Sequence, residues 1–401
     1  MLNVVSVEKA REVIKSSFRI TPESEYVTLE KAYGRVLSED IISETDSPPF
    51  DRSTVDGYAV IAADTYGAGD SIPAILEIRS EIAMGENAGF ALKRGECAAI
   101  PTGGMLPGNA DAVVMSEYAE PDGIGSVLIY KPSAPLENVT KRGDDIAAGE
   151  KALSKNTITD ERAAGVLAML GISDVPVYKK PKVGIISTGN ELFDIDETPA
   201  GAGVRDVNSY LLGALCYECG CEPVMYGIVP DDFDKLRNTV RKACGECAVV
   251  LLSGGSSAGE RDLTMAVIDD LGITLIHGIA AKPGKPTVIG KVGDIAVFGL
   301  PGHPAAAFFV GQALVKPFLY SLTGRTCRPR YSEYTLALNV PSNHGREEYI
   351  PVRIENGEAM PVQAKSGIIS VLSKADGYII IDRNSEGLRA GEKVKVIDFH
   401  A

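Results

Sequence analysis

KVGIISTGNEL, residues 182–192, is a short apolar strand running out into small residues and a carboxylate, and its pattern recurs downstream. After it come a helical stretch at 208–219, the strand PVMYGIV (223–229), a helical stretch at 233–244, the strand AVVLLSG (248–254) and a helical stretch at 261–271. Strands that are apolar throughout are buried on both faces, so their alternation with helices predicts a parallel sheet covered by helices on both sides over 181–324. Ligands of such folds bind beyond the carboxyl ends of the strands, which directs attention to the loops after KVGII and AVVLL.

Outward from this core the periodicity changes. Ser6 is a candidate N-cap for a helix carrying Val7, Ala10 and Ile14, and a second helix is expected at Leu29–Tyr33, with Gly34 to end it. Two prolines in ISETDSPPF (42–50) exclude helix there. AILEIRSEI (74–82), ECAAI (96–100), ADAVVM (110–115) and SVLIYK (126–131) alternate with Gly and Pro turns, as in a β domain. Asp160–Leu170 reads as an amphipathic helix with Gly171 as its stop; packing beside the N-terminal helices would make their domain discontinuous. Beyond the polar linker TGRTCRPR (323–330), YTLALNV, EYIPVRI, YIIID and KVKVI read as a small C-terminal β domain. The expected domains are 1–46 with 139–180, 47–138, 181–324 and 331–401.

Length and composition agree with several soluble domains: 401 residues, 45% hydrophobic and 23% charged. Forty basic against 54 acidic residues leave a net charge of −14, which opposes binding to nucleic acid or anionic membranes. The N-terminus lacks a basic region followed by an apolar one, and no run of about 18 apolar residues occurs, so a cytoplasmic location is expected. Seven cysteines are too few for a disulfide scaffold. Cys216/Cys219 and Cys244/Cys247 form two C-x2-C pairs that suit either zinc or, in view of their apolar neighbours, structural thiols.

Two loops carry the chemistry. STGNEL and SGGSSAGERD each place small residues and a carboxylate just before an expected helix, where backbone N–H groups and the helix dipole suit an oxyanion; either is equally a tight connection. Walker and Rossmann fingerprints are absent. Lys282 and Lys285 in AKPGKPT are stiffened by two prolines and suit an oxyanion as well as plain solvent exposure. Asp56, Glu191, Asp231, Asp232 and Asp262 would repel an anionic ligand unless a hard cation bridged them, which suggests Mg2+ and a phosphorylated substrate; Asp231 and Asp232 equally suit helix capping. Neither a metal-binding His pair nor a Ser, His and Asp arrangement is evident.

Seven motifs in order, PPFDRSTVDGYAV (from Pro48), PTGGMLPGNADAVVMSE (Pro101), RGDDI (Arg142), STGNEL (Ser187), SGGSSAGERD (Ser253), KPGKP (Lys282) and GLPGHPAAA (Gly299), resemble the molybdopterin molybdenumtransferase family, MoeA in bacteria and the gephyrin E-domain in animals. The resemblance spans nearly the whole chain. It implies a multidomain α/β and β fold: a three-layer α/β domain of the molybdopterin-binding type, an N-terminal mixed domain, a β domain and a C-terminal β-barrel. It also implies a homodimer in which the α/β domain of one subunit faces the β domain of the other. The implied reaction takes adenylyl-molybdopterin and molybdate, releases AMP and leaves molybdenum on the dithiolene.

On matched positions, Asp56 and Thr102 come from the β domain, Glu191, Asp231, Asp262, Lys282, Pro301 and Pro304 from the α/β domain, and Arg142 and Asp145 from a linking motif. Glu191 and Asp262 are implied to hold Mg2+ on the pyrophosphate, while Lys282, Lys285 and Ser256 are implied to bind oxyanion or substrate. A molybdopterin adenylyltransferase and recipient molybdoenzymes are the implied partners. Departures cluster near the oxyanion site: His303 where the family usually has Asn, Ala306 where many members have Ser, and Gly278 where bacterial members often carry a basic residue. They leave tungstate open as an alternative substrate. An adenylyl transferase would not need PPFDRSTVDGYAV or the C-terminal domain, and a non-catalytic scaffold would not need Asp56, Glu191, Asp262 and Lys282.

Overall fold

The computed structural model describes residues 4–254, 258–326, 330–362 and 368–399, with side chains from 263 onward in the segment that starts at 258. The chain divides into two compact units, one formed by Met1–Glu25, Gly34–Val36 and Val177–Ala401, the other by Tyr26–Tyr33 and Leu37–Pro176.

Helix α1 (Val7–Ser17) starts at Ser6, whose hydroxyl accepts from Lys9 N at 3.1 Å, and buries Val7, Ala10 and Ile14. In the second unit, α2 (Leu29–Ala32) precedes a six-stranded sheet made of β1 (Gly57–Val60), β2 (Ala74–Glu81), β3 (Glu96–Ile100), β4 (Ala112–Met115), β5 (Ala119–Pro121) and β6 (Ser126–Ile129). The spatial order is β4-β1-β3-β2-β6-β5, antiparallel except where β2 meets β3. Two apolar clusters cover its faces, one around Leu76, Val127 and Ile129, the other around Leu92, Ile100 and Val113. Helix α3 (Glu161–Met169) follows, capped by Asp160, whose carboxylate accepts from Arg162 N and Ala163 N.

The other unit contains the sheet expected from KVGII and AVVLL. Its strands are β7 (Lys182–Thr188), β8 (Glu222–Val229), β9 (Val249–Gly254), β10 (Ile273–His277), β11 (Val288–Val292) and β12 (Ile295–Leu300), ordered β8-β7-β9-β12-β11-β10. The first four are parallel; β11 and β10 run antiparallel to their neighbours, a departure from the all-parallel expectation. Only Gly293 and Asp294 separate β11 from β12, a hairpin length that leaves no room for a crossover.

Alternation along the strands assigns the two faces. Val183, Ile185, Val249, Leu251 and Phe298 join a cluster with α1, α4 (Asn208–Glu218) and α7 (Pro304–Leu322). Ile186, Val250, Leu252 and Val297 join the opposite cluster, with α5 (Phe233–Glu246) and α6 (Ala258–Leu271). Among the described residues α7 is the one helix long and apolar enough to cross a membrane, but it is a core helix, with Lys316 buried in it and bonded to Glu218 at 2.6 Å.

β13 (Tyr331–Leu336), β14 (Glu347–Glu355), β15 (Glu358–Pro361), β16 (Gly377–Ile381) and β17 (Lys393–Asp398) close into a five-stranded barrel, β14-β15-β13-β17-β16 and back to β14. Tyr349 of the barrel stacks on Phe309 of α7 at 5.4 Å, and Tyr378 meets the same ring edge-on. Ala281–Lys282 pairs in parallel with Glu347–Glu348, carrying the KPGKP loop onto the barrel edge.

Candidate functional site

The carboxyl ends of β7, β9 and β12 meet the start of α4. No helix directly follows STGNEL: Leu192–Phe193 pairs in parallel with Val204–Arg205, and α4 begins only at Asn208, a correction to the expected strand-to-helix turn. The intervening DIDETPAGAG (194–203), rich in Asp, Gly and Pro, disfavours an immediate helix. The helix start is nonetheless fixed above the strand ends. Asp206 accepts from Ser209 N at 3.1 Å and from its hydroxyl, Ser209 Oγ lies 2.8 Å from Ser187 Oγ, and Asn208 Nδ2 donates to Ser253 Oγ at 2.6 Å and to the Gly302 carbonyl at 2.9 Å.

A cavity of about 580 Å³ opens there, lined by Glu191, Arg205, Asp206, Asn208, Ser253, Gly254, Gly302, His303 and Pro304 among others. Glu191 reaches it because residue 189 is glycine: φ is +149°, and a Cβ would sit 2.8 Å from the Glu191 carboxylate. Asp231 lies alongside as a loop tie. Its carboxylate accepts from Thr188 Oγ1 at 3.1 Å and Asn190 N at 3.3 Å, while its own N–H donates to Asn190 Oδ1. Asp232 is the cap, accepting from Lys235 N at 2.9 Å. Ser256 lies outside the described residues, as does the side chain of Asp262.

A larger cavity, about 1130 Å³, lies between the KPGKP loop and the barrel, and shares Gly302 and His303 with the first. Among the described residues, Lys282, Lys285, Arg346, Arg353 and Lys374 line it against one carboxylate, Glu348, so its wall is basic in a chain of net charge −14. Lys282 Nζ bonds Glu348 Oε1 at 2.6 Å, and Ser342 Oγ donates to Glu348 Oε2 at 2.7 Å. Pro301 lines the large cavity and Pro304 the small one. Ala306 is buried in the first turn of α7, and Gly278 adopts φ +101°, a conformation unfavourable to any basic side chain.

The remaining predicted residues, Asp56, Thr102, Arg142 and Asp145, belong to the other unit. Asp56 accepts from Thr102 N at 2.6 Å and Thr102 Oγ1 at 2.9 Å; these bonds, the backbone one first, hold its carboxyl below the usual range. Arg142 Nε bonds Asp46 at 2.6 Å and its N–H bonds Asp51 at 2.8 Å, while Asp145 N donates to the Ser47 carbonyl at 3.0 Å. RGDDI therefore fastens the turn that leads into PPFDRSTVDGYAV.

For Mg2+, the small cavity supplies Glu191 and Asp206, of which Asp206 is engaged by Ser209; among the described residues no group of three potential metal ligands converges. That fits an ion held by one or two carboxylates together with ligand phosphates, not a cage made by protein alone. The cysteine pairs do not converge: Cys216 and Cys219 lie in one core cluster with Cys221, and Cys244 packs against the cluster on the opposite face of the sheet.

Sequence reasoning does not reach Asn208, Arg346, Glu348, Arg353 or Lys374, which the structure adds to the two cavities. Asn208 had a signal, being polar at the start of an apolar helix; the other four become neighbours of KPGKP only through the pairing of β14 with Ala281–Lys282.

Known proteins match along the whole chain. The MoeA N-terminal region (domain I and II) matches residues 5–171, a probable molybdopterin binding domain matches 184–321, and the MoeA C-terminal region (domain IV) matches 333–399. A molybdopterin molybdenumtransferase of Bacillus subtilis is 31% identical over 390 residues, 95% of this chain and 91% of that protein. One from a Nostoc species is 33% identical over 334 residues, covering 82% and 76%. The crystal structure of a molybdopterin biosynthesis MoeA protein from Pyrococcus horikoshii superposes with a TM-score of 0.89 at 40% identity, covering 99% of both chains. With three ordered domain matches and an architecture shared from end to end, the chain belongs to the MoeA family of molybdenum-cofactor biosynthesis proteins.

Proposed function

We propose that this protein inserts molybdate into adenylyl-molybdopterin with release of AMP. The observation that carries the proposal is the pairing of a basic cavity, which suits an oxyanion, with a neighbouring carboxylate-bearing cavity at the strand ends, which suits a metal-bridged phosphate.

In this proposal Lys282 and Lys285 hold the oxyanion, with Arg346 as a bidentate donor from the barrel, and Pro301 and Pro304 stiffen the loop between the cavities. Glu191 and Asp262 would hold Mg2+, which when bound would supply neutralisation of the charge that develops on the departing phosphate of AMP. Asp231 keeps Asn190 and Thr188 in place beneath Glu191. Asp56, oriented and kept ionised by Thr102, positions the pterin half or the attacking water, and Ser256 contributes to phosphate binding. Arg142 and Asp145 hold the turn that presents Asp56. The active species is a homodimer, which light scattering on the purified protein tests.

The experiment is incubation with adenylyl-molybdopterin and Mg2+, with molybdate or tungstate at matched concentration. Molybdate-dependent AMP release is expected. Preference for tungstate would move the substrate to tungsten, and no AMP release with either from a folded protein would sink the catalytic reading in favour of a scaffold.

A further inference from the structure

The basic side chains that line the large cavity are not held alike. Among the described residues Lys285, Arg346 and Lys374 make no ion pair, Arg353 pairs with Glu355, and Lys282 bonds Glu348, a carboxylate in the same wall that is only 6% exposed. Burying a carboxylate is costly, and pairing it returns little net stability, so the pair is better explained by the geometry it fixes. That geometry is held at several points. Ala281–Lys282 runs parallel to Glu347–Glu348 with Lys282 in register with Glu348, so one residue meets both the backbone and the head group of the lysine. Glu348 Oε1 lies 2.6 Å from Lys282 Nζ, and Oε2 accepts from Ser342 Oγ at 2.7 Å, which holds the carboxylate from its other side. The loop that follows is pressed against α7, where a Cβ on Gly284 would sit 2.6 Å from Val310. Glu348 is buried and the Lys282 side chain is about half exposed, so the carboxylate restrains the lysine and not the reverse. An ammonium carries three N–H donors; Glu348 takes one, and two remain for a ligand. A lysine without such a partner samples many rotamers and is ordered only by its ligand, whereas Lys282 is ordered in advance.

We propose that Glu348 is a positioning residue, which holds the Lys282 ammonium ready for the oxyanion and stays bonded to it when the oxyanion binds. The proposal rests on the functional reading above. It gives Glu348 a role opposite to the one its charge suggests, since a carboxylate in an anion site repels the ligand. Here that charge is offset by Lys282 at 2.6 Å, and Lys285, Arg346 and Lys374 are left uncompensated among the described residues, so the wall stays attractive. Removing Glu348 therefore costs more in lost order at Lys282 than it returns in lost repulsion.

The test is steady-state AMP release with adenylyl-molybdopterin and Mg2+ while molybdate is varied, for the unmodified protein, Glu348→Ala, Glu348→Gln and Ser342→Ala. Glu348→Ala should raise the KM for molybdate roughly tenfold, the cost of ordering one lysine side chain on binding, with kcat within about twofold. Glu348→Gln keeps an acceptor for Lys282 and turns its amide nitrogen to Ser342, so it should restore the KM to the unmodified value or below it. Ser342→Ala loosens the carboxylate and should raise the KM in the same direction by roughly threefold, which decides the matter should Glu348→Ala fail to fold. A merely structural role would lower kcat through loss of active protein and leave the molybdate KM unchanged in every variant. A carboxylate that only competes with the oxyanion for Lys282 would lower the KM in Glu348→Ala, and a KM as high in Glu348→Gln as in Glu348→Ala would place the effect in charge and not in position. Any of these results overturns the inference and leaves the insertion reading standing. Absence of molybdate-dependent AMP release by the unmodified protein would instead sink that reading, and the inference with it.

Discussion

Replacing Lys282 with Met should destabilise the junction between the KPGKP loop and the barrel by about 2 kcal/mol. The Glu348 side chain is 8% exposed and that of Lys282 48%, so the pair lies between two limits. Exposed pairs contribute up to about 1 kcal/mol, and breaking a fully buried pair costs roughly 3–5 kcal/mol, because the partner charge is left without compensation. Ser342 continues to donate to Glu348 Oε2, which keeps the cost below the upper limit. Most of that cost is the orphaned carboxylate, so adding Glu348→Gln to Lys282→Met should recover about 1 kcal/mol. Urea unfolding followed by circular dichroism measures the four corners of this cycle. Lys282→Met within about 0.5 kcal/mol of the unmodified protein, or a double variant less stable than the single one, would refute the electrostatic account of the junction. Activity should separate from stability: molybdate-dependent AMP release should be lost in both Lys282 variants, however stable the double one is.

Gly57→Ala would place a Cβ 1.9 Å from the Val114 carbonyl oxygen, inside the β1–β4 pairing, so thermal unfolding should report a loss of about 3 kcal/mol or more. Thr102→Val removes one of the two bonds that depress the Asp56 carboxyl, and carbon-detected NMR titration should show its pKa rising toward the usual value of about 3.9. Because the folded value is depressed, the stabilisation linked to Asp56 is present above the unfolded pKa and lost as pH falls through the folded one; Thr102→Val should shrink that acid-side dependence. Burial pushes the Cys216 thiol up to about 12, with Cys219 as a secondary contributor, so mass-mapped alkylation at pH 8 should label Cys216 only after unfolding.

Helix caps and the two-sided burial of the central strands were legible because they are local. Ser6 accepts from the N–H expected of a cap, and KVGII and AVVLL pair in parallel as their unbroken apolarity implied. Direction at the sheet edge is not carried by apolarity; the local signal for antiparallel pairing there is the two-residue turn Gly293–Asp294 between β11 and β12. The Gly and Asn of STGNEL suit a strand-to-helix turn, but the DIDETPAGAG excursion inserts a second small pairing before α4. The large cavity was only half visible. Lys282 and Lys285 announce themselves between prolines, whereas Arg346, Glu348, Arg353 and Lys374 stand in ordinary strand or turn contexts and reach KPGKP through tertiary pairing. Asp231 and Asp232 were indistinguishable as caps by sequence, since either acidic residue precedes the helix; backbone geometry assigns the cap to Asp232.

The central claim is that metal insertion and AMP release are one coupled event. The most direct measurement is the ratio of molybdenum bound to the pterin to AMP released, after incubation of the purified protein with adenylyl-molybdopterin, Mg2+ and molybdate, alongside an Asp262→Asn variant shown to be folded. The account predicts one metal per AMP for the unmodified protein and loss of both products in the variant. AMP released without metal on the pterin, or a variant as productive as its parent, would contradict it.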